Sequence, residues 1–143
     1  MATDTKYFSK FKQITYGNTA AIDITQRAVQ LKTIQSNPYI FYPLDVVNDT
    51  RPDQISYAAY EDPYYSWSLY LINNITDPYY EWYMSDRQFT NFIKDKYGDA
   101  VYDTHHYEDS NGHVVMGGYP VSNREYEERL NEKKRRIKII SYK

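Results

Sequence analysis

The sequence predicts an α+β protein, because two kinds of hydrophobic pattern occur along its 143 residues. Near both ends, apolar and polar residues alternate with a period of two, as they do in half-buried strands. Between them, capping residues precede segments whose apolar residues recur at helical spacing. The chain also has 18 tyrosines and a mean hydropathy of −0.81. These values indicate a small core surrounded by half-polar aromatic surface.

The N-terminal part is predicted to contain an arm and two strands. Residues 1–16 carry aromatic side chains without a period and are interpreted as an arm. Apolar and polar residues alternate over residues 22–25 and 28–34, which predicts two strands. The sequence Ser36-Asn37-Pro38 then predicts a turn.

A strand and two short helices are predicted in the middle of the chain. Residues 39–47 are aromatic and β-branched, as is typical of strands. Thr50 as N-cap, followed by a proline, predicts a helix over residues 52–60. Asp62 repeats this signal and predicts a second helix that ends near Asn73. Four residues at helical spacing are expected to form its buried face: Tyr64, Trp67, Ser68 and Leu71.

Another helix and a hairpin are predicted next. Ser85 and Gln88 form a capping box, which predicts a helix over residues 86–96 that ends at a glycine. Residues 101–107 and 113–116 flank a Ser-Asn-Gly sequence, which predicts a β-hairpin. The residues between this hairpin and the next helix are interpreted as a loop.

A charged helix and a strand are predicted to end the chain. Ser122 with Glu125 predicts a helix that reaches about Arg136, and residues 137–142 are predicted to form a strand. A strand at a chain end can add to a sheet of its own fold or to one in a neighbouring subunit. For the second alternative, truncation after Arg136 is expected to leave the central module folded but to abolish incorporation into the assembly.

These elements predict three parts. Residues 1–38 form the N-terminal arm and strands, and residues 39–84 form an aromatic strand–helix–helix module. Residues 85–143 contain the helix, the β-hairpin, the charged helix and the terminal strand.

Charge and cysteine content exclude several classes of function. Net charge is +3 over residues 1–40, −9 over residues 41–123 and +4 over residues 124–143. Because the acidic middle repels phosphates, we expect no nucleic-acid partner. The absence of cysteine excludes disulfides and thiolate metal sites. No segment approaches the roughly 18 apolar residues of a membrane span, so no membrane partner is expected.

No set of residues predicts catalysis. His105 and His106 are adjacent in a predicted strand, so their side chains are expected to point to opposite faces rather than to one metal ion. Asp62 and Asp77 precede prolines, and capping explains both. We therefore expect a protein that is not an enzyme, with no catalytic residues, no metal site and no cofactor.

Aromatic residues are the strongest functional signal. Eight of the tyrosines and both tryptophans lie between Tyr57 and Tyr83, and two short helices offer too little interior for all of them. Tyrosine and tryptophan are enriched at interface hot spots, so we predict a protein-recognition surface. Together with the terminal strand, its predicted residues are Tyr64, Tyr65, Tyr79, Tyr80, Trp82, Ile137 and Ile139.

Two consecutive segments resemble lysin-motif (LysM) domains. Residues 49–63, which read DTRPDQISYAAYEDP, are similar to the turn and first helix of such domains. Residues 64–78, which read YYSWSLYLINNITDP, are similar to the second helix and the loop after it. The resemblance implies a small β-α-α-(β) module. The usual closing strand is replaced by residues 79–84 and a helix.

A more specific resemblance is to the baseplate wedge subunit of T-even-like contractile-tailed phages (the protein fifty-three family). The residues that carry it are Arg51-Pro-Asp-Gln, the segment from Tyr60 to Trp67, the Asp77-Pro-Tyr-Tyr-Glu-Trp motif and the terminal residues 122–140. Arg51 belongs to this motif and is added to the predicted interface residues.

This resemblance implies a structural role. The chain is expected to join neighbouring wedges around the tail hub during assembly, in six copies or a multiple of six per virion. Its expected partners are other wedge proteins, including the sheath-like wedge protein. Its expected location is the tail baseplate of the virion, after assembly in the host cytoplasm. The alternative is a LysM-type module that binds peptidoglycan glycans.

Overall fold

The computed structural model describes residues 6–30 and 32–141, and for Gln35 the backbone alone. The predictions for residues 1–5, Leu31 and Tyr142 lie outside this range. Two compact units are present. Unit 1 comprises the described residues of Met1–Leu44, Thr50–Pro78 and Ile137–Lys143, and unit 2 comprises Asp45–Asp49 and Tyr79–Arg136.

Helices and strands are mixed along the chain, which confirms the α+β class. The strands are β1 Gln13–Tyr16, β2 Thr19–Ile22, β3 Phe41–Asp45, β4 Thr104–Glu108, β5 Tyr119–Ser122 and β6 Arg136–Ile140. The α-helices are α1 Lys32–Gln35, α2 Pro52–Tyr60, α3 Ser66–Ile72, α4 Pro78–Glu81, α5 Asp86–Tyr97 and α6 Asn123–Arg135. Short 3₁₀ turns cover Tyr7–Lys10, Pro38–Ile40, Pro63–Tyr65 and Gly98–Tyr102.

The N-terminal segment of unit 1 differs from its prediction. A hairpin of β1 and β2 lies where an arm and a later strand were expected, and Gly17 provides the positive φ of 60° in its turn. The strand predicted over residues 22–25 is wrong beyond Ile22. The Asp23 carboxylate accepts hydrogen bonds from the backbone N–H and the hydroxyl of Thr25, which starts a turn instead of extending the ladder.

The strand predicted over residues 28–34 is also wrong. Residues 26–30 have no regular structure, and α1 follows from Lys32. The alternation of apolar and polar residues was therefore not sufficient for a strand here. A strand forms only where a neighbouring strand is available to pair with it. The turn predicted at Ser36 is confirmed.

Helix α2 has the predicted bounds, Pro52–Tyr60, but its N-cap is Arg51 and not Thr50. Pro52 is the first helical residue, and a residue before proline is held in the extended region, where an N-cap must lie. The side chain of Gln54 accepts a hydrogen bond from the Arg51 N–H at 2.9 Å. Helix α2 is terminated after Tyr60 by its C-cap residue Glu61, which has a left-handed φ of 60°.

The buried face predicted for the second helix is wrong at Tyr64. Residues Pro63–Tyr65 form a 3₁₀ turn before α3, so the angular positions of side chains change between the two. Leu69 is fully buried instead, whereas Tyr64 is 64% exposed. The core of unit 1 also contains Ile55 and Ile137.

The terminal strand completes a sheet within its own chain. Strand β6 pairs with β3, and the Ser141 N–H donates to the Ile40 carbonyl at 2.9 Å at one end of the pairing. The prediction of a strand at this position is therefore confirmed, and of the two alternatives the structure has the one in which the strand belongs to its own fold.

Side chains of unit 1 occupy further backbone groups of β6. The Asn73 Oδ1 accepts from the Lys138 N–H at 2.7 Å, and the Asn73 Nδ2 donates to the Lys138 carbonyl at 2.8 Å. The Tyr60 hydroxyl accepts from the Ile140 N–H at 3.0 Å. Three backbone groups of β6 that could pair with an added strand are thus already occupied.

The core of unit 2 forms around α5. Met84, Phe89 and Ile93 are buried, and Phe92, Tyr97 and Val101 pack against them. The predicted cap is confirmed, because the Ser85 hydroxyl and the Gln88 side chain each accept from the other's backbone N–H. The helix ends at Gly98 as predicted, with a φ of 55°.

The hairpin predicted in unit 2 has a different second strand. Strand β4 pairs with β5, Tyr119–Ser122, and residues 113–116 contribute a single bridge between Val114 and Glu108. Residues 117–120 were expected to be a loop, and this expectation is wrong at Tyr119 and Pro120, which belong to β5. The Asp109 carboxylate accepts from the backbone N–H groups of Asn111 and His113, which forms a local turn in place of the two-residue hairpin loop.

Helix α6 follows β5 directly. The Ser122 hydroxyl accepts from the Glu125 N–H at 3.2 Å, which confirms the predicted N-cap. The helix ends at Arg135, one residue before its predicted end.

Candidate functional site

Exposed tyrosines are the main candidates for recognition in unit 1. Tyr64 is 64% exposed on the 3₁₀ turn before α3, and Tyr65 beside it is half-buried against Tyr60, with ring centroids 6.0 Å apart. The Asp62 carboxylate holds this turn by accepting from the Tyr64 N–H at 2.8 Å. The predicted pair therefore lies on a fixed backbone, with one ring available to a partner.

The other predicted residues of unit 1 differ in exposure. Arg51 is exposed, and its guanidinium forms an ion pair with Asp53 at 2.7 Å. Ile139 is half-buried, and Ile137 is only 3% exposed in the core. Ile137 therefore stabilises its own unit, and its role at an interface stays a prediction.

Unit 2 contains the remaining predicted residues. Tyr79 and Tyr80 are 78% and 52% exposed on α4, and their rings pack edge to face with centroids 4.8 Å apart. Trp82 is buried, with 9% of its surface exposed. The paired tyrosines thus expose aromatic surface, whereas Trp82 is a buried core residue.

A polar cluster in unit 2 was not predicted from the sequence. Glu127 is 6% exposed and accepts hydrogen bonds from the Lys96 Nζ at 2.6 Å and the Tyr97 hydroxyl at 2.8 Å. The hydrogen bond that Lys96 donates to Glu127 raises the pKa of Lys96. Burial, together with the same carboxylate, raises the pKa of Tyr97. This cluster holds α5 against α6.

Asn131 lies one helical turn after Glu127 and is also buried. Its Oδ1 accepts from the Met84 N–H and its Nδ2 donates to the Met84 carbonyl, both at 2.9 Å. The i, i+4 spacing of these two polar residues was visible in the sequence, but the same spacing is common on solvated helix faces.

Lys134 continues this face of α6. Its Nζ donates to the Tyr80 carbonyl at 2.6 Å, and burial lowers its pKa. This hydrogen bond fixes the backbone at Tyr80, the second residue of the exposed tyrosine pair. The candidate surface of unit 2 is therefore supported by a side chain that the sequence analysis did not identify.

The expectation that His105 and His106 point apart is wrong. A register shift in β4 between Thr104 and His106 turns both rings to one side, and their Nδ1 atoms are 2.8 Å apart. His105 stacks on Tyr126 with centroids 3.9 Å apart, and the His106 Nε2 lies 2.8 Å from a Glu108 carboxylate oxygen.

These contacts are part of an ion-pair cluster. The Arg129 Nη1 donates to both Glu108 oxygens, at 2.9 and 2.8 Å, and hydrogen bonds from Arg129 and then His106 lower the pKa of Glu108. Within residues 6–30 and 32–141, no three His, Asp or Glu side chains are grouped to hold a metal ion. In the same range, no helix is long and apolar enough to cross a membrane.

Comparison with known families gives one match. The profile of the family described as base plate wedge protein 53 matches residues 5–116. The match covers most of the chain and includes the aromatic segment and both tyrosine pairs. A comparison with curated proteins found no match.

Proposed function

The chain belongs to the base plate wedge protein 53 family, and from this we propose that it is a structural subunit that joins neighbouring wedges around the hub of a contractile phage tail. The family match over residues 5–116 is the observation that carries this proposal. Membership identifies a structural protein of the bacteriophage tail baseplate. That the chain joins neighbouring wedges is our proposal and goes beyond family membership.

Exposed aromatic surface supports a role in assembly. Tyr64 in unit 1 and Tyr79 in unit 2 are 64% and 78% exposed. Tyrosine suits an interface because its ring is apolar while its hydroxyl keeps a hydrogen bond. Both residues lie in short segments fixed by Asp62 and Lys134, respectively. A fixed backbone lowers the conformational entropy that is lost when a partner covers the ring.

The remaining parts of the proposal concern partners and location. The partners are other wedge proteins, including the sheath-like wedge protein, and the protein is present in six copies or a multiple of six per virion. It is assembled in the host cytoplasm and has no enzymatic activity. The division into residues 1–38, 39–84 and 85–143, with a LysM-like middle part, also stays a proposal.

Substitution of the exposed tyrosines tests the proposal. Tyr64→Ser and Tyr79→Ser, each in the full chain, are expected to reduce incorporation into baseplates at least tenfold, because loss of a hot-spot ring costs about 2 kcal/mol of binding. Incorporation is measured by complementing a phage that lacks the gene and quantifying the protein in purified tails.

A matched control is Lys94→Ser, which changes an exposed residue on the outer face of α5. It is expected to incorporate normally, and circular dichroism melts establish that all three variants fold. If both tyrosine variants assemble as well as the wild type, or if tails form normally without the protein, the proposed role is wrong.

A further inference from the structure

Unit 1 contains a cavity of about 410 Å³ between the N-terminal segment and α3. The Tyr7 and Trp67 rings lie at its wall, with centroids 5.4 Å apart. The Tyr7 hydroxyl accepts from the Ala28 N–H at 3.1 Å and so ties the segment after β2 to the aromatic wall. Tyr70 and Leu71 add further aromatic and apolar surface from α3. A cavity of this size accommodates a large side chain with part of its backbone.

Arg27 is the only charged residue among the nine that line the cavity. Its side chain is exposed, and no ion pair or side-chain hydrogen bond within the described ranges 6–30 and 32–141 involves it. Among the described residues, the cavity thus combines an apolar aromatic wall with a cation that forms no ion pair.

We propose that this cavity binds a segment of another baseplate protein that presents an apolar or aromatic side chain beside an aspartate or glutamate. The apolar side chain packs against Trp67 and Tyr7, and the carboxylate forms an ion pair with Arg27. The planar guanidinium suits a carboxylate because it donates two parallel hydrogen bonds. This inference rests on the proposed function only in taking the partner to be a baseplate protein.

Peptide binding to the full chain tests the inference. The probe is acetyl-aspartyl-phenylalanine amide, titrated to millimolar concentration and followed by ¹H–¹⁵N NMR. We expect it to shift the indole signal of Trp67 and the amides around the cavity. The signal of Trp82, which is buried in unit 2, is the internal reference and is expected to stay in place.

Charge removal on either side tests the ion pair. Arg27→Gln in the protein, or asparagine for aspartate in the probe, is expected to weaken binding roughly fivefold, the upper range for an exposed ion pair. When Arg27→Gln is combined with the asparagine probe, the loss of affinity is expected to be no greater than with either change alone. Arg27→Lys is expected to restore part of the affinity. Arg87→Gln, which removes an exposed arginine of unit 2, is expected to leave binding unchanged.

Three results would overturn the inference: no binding of the acidic probe, equal binding of the acidic and neutral probes, or shifts that lie away from the cavity. Shifts of the same signals by chitotriose and not by the peptide would also reject it, because they would identify a glycan site. The outcome is independent of the assembly test. If the peptide binds in an Arg27-dependent way, the cavity inference is supported even when the tyrosine variants assemble normally. If the tyrosine variants fail to assemble, the proposed function is supported even when the peptide does not bind.

Discussion

Glu127 and Asn131 are two buried polar residues on a helix whose sequence is otherwise strongly charged. One carboxylate oxygen of Glu127 accepts from both Lys96 and Tyr97, and the Asn131 amide bonds both backbone groups of Met84. Burial of such groups is favourable only when their hydrogen bonds are made, because an unpaired buried group costs about 1–3 kcal/mol. These residues therefore fix the position of α6 against its neighbours in unit 2 more specifically than an apolar stripe would.

Replacement of Glu127 tests this interpretation. Glu127→Ala removes the acceptor of the Tyr97 hydroxyl and the partner of Lys96, so we expect a loss of about 2 kcal/mol in the free energy of unfolding. The loss is limited because Lys96 is half-exposed and water can solvate its ammonium group. Urea denaturation measures the effect.

The control for this substitution is the next residue of the same helix. Glu128 is exposed, so Glu128→Ala is expected to change the unfolding free energy by no more than about 0.5 kcal/mol. Equal losses for the two variants would show that removal of a glutamate charge from α6, and not loss of the buried cluster, explains the effect.

At the scale of elements, β6 is the segment whose role changed most between prediction and structure. As an isolated terminal strand it was a candidate for docking into a neighbouring subunit. In the structure it pairs with β3 and places Ile137 in the core of unit 1. Its backbone N–H groups donate to the side chains of Asn73 and Tyr60. The strand is therefore a structural component of unit 1.

Truncation after Arg136 is consequently expected to unfold unit 1 and not to leave it intact. It removes a buried isoleucine, which alone contributes roughly 2–5 kcal/mol, and leaves β3 without its paired strand. Loss of dispersed ¹H–¹⁵N signals from α2 and α3 would be the readout. A chain that ends at Ser141 keeps all of β6 and is expected to retain these signals. Native-like signals in the shorter chain would contradict the structural role of β6.

For the molecule as a whole, the 18 tyrosines are explained only in part by the two cores. Several rings stay largely exposed in the described residues, among them Tyr39 at 89%, Tyr64 at 64% and Tyr79 at 78%. Large exposed aromatic side chains in a tail protein are consistent with surfaces that neighbouring subunits cover. The free chain and the assembled chain should therefore differ in tyrosine accessibility.

Nitration with tetranitromethane measures this difference. Tyr64 and Tyr79 are expected to be nitrated readily in the free protein and at least fivefold more slowly in purified baseplates, because partners exclude the reagent. Tyr97 serves as the internal reference. Its hydroxyl donates to Glu127 and its pKa is raised, so it should react slowly in both states. Unchanged rates at Tyr64 and Tyr79 on assembly would count against their role as interface residues.

The sequence by itself determined features that depend on neighbouring residues. The caps at Ser85 and Ser122 and the end of α5 at Gly98 were predicted correctly, because each rests on contacts within four residues. The α+β class and the family followed from such local patterns and motifs. The aromatic segment was recognised as unusual, and three of its five candidate surface rings are exposed: Tyr64, Tyr79 and Tyr80. The other two are not, because Tyr65 is half-buried and Trp82 is buried.

Tertiary structure decided what depends on residues far apart in the chain. Strand β4 pairs along its length with β5 and only by a single bridge with residues 113–116, and the buried Asn131 bonds the backbone of Met84. Neither contact has a local signature, since strand pairing and side-chain burial depend on which surfaces meet after the chain folds. The same reason explains Tyr64, whose helical spacing predicted a buried ring and whose place on a 3₁₀ turn leaves it exposed.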